Sequence, residues 1–162
     1  MLKSLVILIL LMIVSRLIDL PENFSPIIAF AIFIPRLTDN LYLQHLLPAS
    51  IIIITNLFLE PVDIIILSTI LLVFLITPLI SKYCENLFLS VIYTVLIWHI
   101  LVNGAVWNNV GGSILEIYMY AVPFDLKLLI SSWLYIALFY FAERFWIKFS
   151  NSNIKLSKKF NS

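Results

Sequence analysis

Charge is what this chain has least of: Asp, Glu, Lys and Arg make up 12% of its 162 residues, where soluble domains carry about a quarter. The net charge of +1 gives no basic surface for nucleic acid, which is excluded as a partner. A single cysteine, Cys84, rules out an internal disulfide and any cysteine metal cluster. The two histidines, His45 and His99, stand far apart with no metal-ligand spacing. Three glycines, Gly104, Gly111 and Gly112, cannot supply a phosphate-cradling loop, so the chain hydrolyses no nucleotide of its own. No enzyme signature and no cofactor site remain.

What is present is hydrocarbon: 62% of residues are hydrophobic and the mean hydropathy is +1.08, which places the chain in a bilayer. A crossing takes about 20 apolar residues, so this length holds at most about six with short turns. The fold class expected is all-α integral membrane: about six transmembrane helices, the second short or re-entrant, with both termini cytoplasmic. Residues 1–149 form a single polytopic domain and 150–162 a basic cytoplasmic tail. Although Lys3 and the apolar run after it have the look of a signal peptide, Ser15-Arg16-Leu17-Ile18-Asp19 contains no small-residue cleavage site, so an uncleaved first helix is expected.

The expected helices follow the apolar runs. The first spans Leu5 to Leu20 and stops at Pro21. Ser25 caps a short second run, Ile27 to Ile34, which Pro35 cuts. Leu41 to Leu59, Val62 to Ile80, Leu87 to Val102 and Leu126 to Ile147 complete the set. Between the last two lies a stretch from Asn103 through Gly111-Gly112 to Asp125, rich in Asn, Gly and aromatics, which reads as a long loop able to wall a binding site. Eight of the ten basic residues fall on the side of the termini, leaving Arg16 and Lys127 opposite. The same orientation sends Asp19, Glu22, Glu60, Asp63, Glu116 and Asp125 outward with the long loop.

Candidate functional residues cluster on that outer side. Lys127, Ser131 and Tyr135 repeat every four residues and form one polar helix face, either glue between helices or a ligand-facing stripe. His99 has Asn103 one turn on, and an ionisable group within a span is a functional candidate or a neutral partner for a neighbour. Asn56 beside Thr55 has the same two readings. Trp107 is a belt residue at the interface or, with Asn103, Tyr118, Phe124 and the Glu22 to Ser25 turn, part of one cavity. The substrate-binding set is therefore Asn23, Phe24, Asn56, His99, Asn103, Trp107, Tyr118, Phe124, Ser131 and Tyr135.

At Ser15-Arg16-Leu17, Asn23-Phe24-Ser25-Pro26-Ile27, Ala29 to Phe33, Asn103 to Trp107 and Ala121-Val122-Pro123-Phe124 the chain resembles a family of small bacterial membrane proteins described as transport proteins. That family is similar to the substrate-binding (S) components of energy-coupling-factor (ECF) vitamin transporters. The resemblance implies a six-helix bundle in the bacterial inner membrane, holding a micronutrient near its outer face and docking on a transmembrane coupling subunit driven by two ATPases. It also implies acidic residues where Asn56 and Ser132 stand, so this chain departs from the pattern there. A non-transporting scaffold of a cell-envelope complex is the alternative. Membrane lipid is a partner under both.

Overall fold

The computed structural model describes the backbone of residues 2–18, 23–84 and 86–160, with side chains except at 2–5, 7 and 146–160. Within these residues the chain is all helix: α1 (Leu2–Leu17), α2 (Ile27–Phe33), α3 (Leu41–Asn56), α4 (Ile64–Tyr83), α5 (Leu87–Val110) and α6 (Ile114–Phe160). Three of the starts have a side-chain cap. Asn40, Asp63 and Asn86 precede α3, α4 and α5, and each side-chain oxygen accepts the exposed N–H groups of the first turn. The strongest of these caps is Asp63, whose Oδ1 takes Ile65 N at 2.8 Å and Ile66 N at 3.3 Å.

Ile64–Tyr83, Leu87–Val110 and Ile114–Phe145 are long and apolar enough to cross a membrane. Their outward faces carry exposed Leu96, Ile100, Ile130, Leu134, Leu138 and Phe141, an apolar coat that water would not tolerate and lipid would. The chain is a membrane-embedded protein.

α2 occupies the centre. Its seven residues span about 10 Å at 1.5 Å each, and every one of them is buried. It touches all five other helices. A helix this short leaves terminal carbonyls that cost several kcal/mol if unpaired away from water, and its neighbours answer them: Ser81 Oγ of α4 donates to Ile32 O at 2.7 Å. A 3-10 turn, Ile34–Arg36, carries it onward, and Arg36 reaches Glu143 of α6 at 3.4 Å. The expected short second helix is thus present, as the post around which the rest packs. Pro26 stands at its N-cap position and Ser25 Oγ accepts Ile27 N at 3.4 Å.

The long loop is not there. α5 continues to Val110 and α6 starts at Ile114, so the connection shrinks to 111–113. Within that connection Gly111 (φ 75°) and Gly112 (φ 87°) take the left-handed backbone of a turn. Gly104 serves instead for close approach: a Cβ there would stand 3.1 Å from Tyr118 Oη of α6. Pro123 lies inside α6, as Pro48 and Pro78 lie inside α3 and α4, because surrounding helices support a proline break in a membrane bundle. α6 also runs past Glu143-Arg144 to Phe160, since charged residues end an apolar surface but not a helix. Asp19, Pro21, Glu22, Glu85 and the side chains of the basic tail lie outside the described residues.

Candidate functional site

Arg16 lies in the last turn of α1 and Asn56 is the final residue of α3. Arg16 Nη2 donates to Asn56 Oδ1 at 2.9 Å, tying two helix ends forty positions apart. Here α1 and α3 finish while α2 and α4 begin, and a cavity of about 200 Å³ opens between them. Arg16, Asn23, Ser25 and Asn56 supply its polar atoms, and Ile28, Ile52, Leu67, Ile70, Phe74, Trp98 and Leu128 most of its wall. Asn56, expected deep within a helix, stands at a helix end because α3 stops three residues short of the apolar run.

Local chemistry explains the rim. Asn23 adopts φ 59°, a left-handed conformation that asparagine tolerates better than most residues. Its carbonyl is held by Ser131 Oγ at 3.2 Å, which fixes the bend entering α2. Phe24 then turns away from the cavity wall, its ring edge-on to Tyr135 at 5.9 Å. Trp98 packs edge-on to buried Phe74 at 6.3 Å, giving the cavity a flat apolar side. Arg16 Nε is buried with no hydrogen-bond partner among the described residues. None of the described lining residues is an Asp or a Glu.

A second polar group joins α5 to α6. His99 Nδ1 lies 2.7 Å from Asp125 Oδ2, and Asn103 Nδ2 donates to the same oxygen at 3.0 Å. Because Asn103 Nδ2 is a donor, its 3.1 Å approach to His99 Nδ1 is a consequence of sharing one acceptor and not a third hydrogen bond; the carboxylate assigns the proton to Nδ1. The Tyr118 ring stands edge-on to His99 at 5.2 Å while its hydroxyl donates to Ile100 O at 2.7 Å. Asp125 is buried and its Oδ2 takes both close partners, so the group ties α5 to α6.

The sequence-derived set therefore divides. Asn23 and Asn56 line the cavity; His99, Asn103 and Tyr118 form the second group with Asp125, a residue not singled out for it. Ser131 is buried and donates to Leu128 O as well as Asn23 O, and Tyr135 packs on Phe24 and Phe139. Both act between helices, and Lys127 leaves the stripe to sit over the Phe124 ring at 5.3 Å. Trp107 donates from Nε1 to Gly112 O at 3.1 Å, bracing the turn. It and Phe124 are partly exposed and neither lines the cavity. Ser25 lines the cavity as part of the expected Glu22 to Ser25 turn; sequence reasoning left Arg16 and Trp98 out of the site, and the signal for Arg16 was a lone cation ending an apolar run. Among the described residues no three of His, Cys, Asp and Glu come together to hold a metal.

Residues 2–152 match a family of unknown function, DUF6580, and the chain belongs to that family. No curated protein and no solved structure matches it.

Proposed function

We propose that this protein is the substrate-capture subunit for uptake of a small vitamin-like micronutrient across the bacterial inner membrane. A separate transmembrane coupling subunit and two ATPases supply the energy. The observation that carries this reading is the cavity at one end of the bundle, apolar on most sides with a few convergent polar groups, the form that ligand sites take. With both termini cytoplasmic, that end faces outward, where a capture subunit meets its substrate. At roughly 200 Å³ the space is smaller than pockets for drug-sized ligands, which hold about 300 to 1,000 Å³. That favours a single-ring or similarly compact molecule over a large cofactor.

Dependence on partners follows from chemistry the chain does not bring. It has no phosphate-cradling loop, and His99, the residue best suited to relaying a proton, is engaged with Asp125. Purified protein should retain a small molecule that mass spectrometry identifies after gentle detergent extraction. In liposomes it should bind that molecule without concentrating it until coupling subunit, ATPases and ATP are added. Accumulation driven by a proton gradient alone would overturn the proposal, as would a preparation that retains nothing and co-purifies with cell-envelope machinery. A reporter fused after Ser162 should be active only in the cytoplasm; activity outside would put the cavity on the wrong face.

A further inference from the structure

We infer that the cavity takes a compact molecule bearing a single carboxylate on an apolar or aromatic body, with the Arg16 guanidinium as its anchor. The inference rests on the capture reading and names the substrate class for the same site. Arg16 brings a permanent positive charge to the cavity and spends one N–H on a neutral acceptor, Asn56 Oδ1. Its Nε–H is buried without a partner among the described residues. An unpaired cation in a membrane protein is costly, and among the described residues no carboxylate lines this cavity. An anionic ligand supplies what the wall omits.

Magnitudes of charge and shape choose among anions. A phosphate monoester carries close to two negative charges at neutral pH, against one guanidinium; a carboxylate balances it one to one. The planar fork of arginine matches the two oxygens of a carboxylate. The amide of Asn23 and the hydroxyl of Ser25, on the rim, are further donors. The remaining wall is hydrocarbon, with Trp98 and Phe74 offering flat surface, so the body of the molecule is apolar.

Benzoate and benzamide, alike in shape and different in charge, test this by titration calorimetry on the full chain in detergent. Benzoate should bind at least about tenfold more tightly, which is about 1.4 kcal/mol. Arg16→Gln should remove that preference. Arg16→Lys, which keeps the charge and loses the fork, should retain part of it, and serves alone if the glutamine variant does not fold. Leu67→Trp, filling the cavity, should abolish binding of both probes. Equal binding of the two probes to the wild type, survival of the preference in Arg16→Gln, or a retained natural molecule without an acid group would each overturn the carboxylate inference and leave capture standing. Binding of neither probe, together with nothing retained on purification, would overturn both.

Discussion

Asp125 accepts hydrogen bonds from both His99 and Asn103, whereas Arg16 gives one N–H to Asn56 and its Nε–H has no partner among the described residues. The two groups lie toward the same end of one bundle and use similar side chains. What separates them is how far neighbours take up the charged side chain: two donors reach Asp125 Oδ2, and among the described residues one neutral acceptor meets Arg16. A carboxylate held by two donors works as a clamp between α5 and α6; a cation beside a cavity with one neutral partner leaves a charge for a ligand to answer. In a bilayer the distinction sharpens, because water is not there to make up the difference.

The largest effect should come from breaking the clamp. Asp125→Ala leaves two half-buried donors without their acceptor, and losing such a partner costs about 1 to 3 kcal/mol. Denaturant or thermal unfolding in detergent should show that loss, while the molecules that remain folded bind ligand as the wild type does. A variant of unchanged stability that loses ligand would exchange the roles of the two groups.

Next comes the aromatic wall. Burying a large ring against a ligand is worth about 1.5 to 3 kcal/mol, so Trp98→Ala should weaken retention of the natural molecule at least about tenfold. Trp107→Ala should change it less than about twofold, because its ring braces Gly112 at the turn and lies away from the cavity. The reverse result would move the binding site to the α5–α6 turn.

Much of the fold could be read from residue order, and the failures have a common physical origin. α4 was legible because its apolar run is long enough to cross, although the Asp63 cap moves its start from Val62 to Ile64, and α2 because prolines bracket a run too short to cross. The 103–125 stretch was misread because Asn and Gly leave helices in water. Here Asn103 spends its amide on Asp125 and Gly104 admits Tyr118, so both are helical for tertiary reasons. A clue was present: His99 precedes Gly112 by as many residues as Asp125 follows it, which pairs them if the turn is tight. Arg16 held no such clue, since its partner lies forty positions away on the end of another helix.

The smallest effect tests why the clamp is closed. Gly104→Ala has two consequences of opposite sign: alanine favours a helix over glycine by about 0.5 to 1 kcal/mol. Against that, its Cβ would crowd Tyr118 Oη at 3.1 Å and disturb the 2.7 Å hydrogen bond to Ile100 O, worth about 0.5 to 1.5 kcal/mol. The single variant should therefore stay within about 0.5 kcal/mol of wild type. In a Tyr118→Phe background the obstructing oxygen is gone, and the same substitution should stabilise by about 0.5 to 1 kcal/mol. A double-mutant cycle by denaturant titration reads the difference as a coupling between the two positions. Additive effects would mean that Gly104 and Tyr118 do not meet, and α5 and α6 would then be held at this level by Asp125 alone.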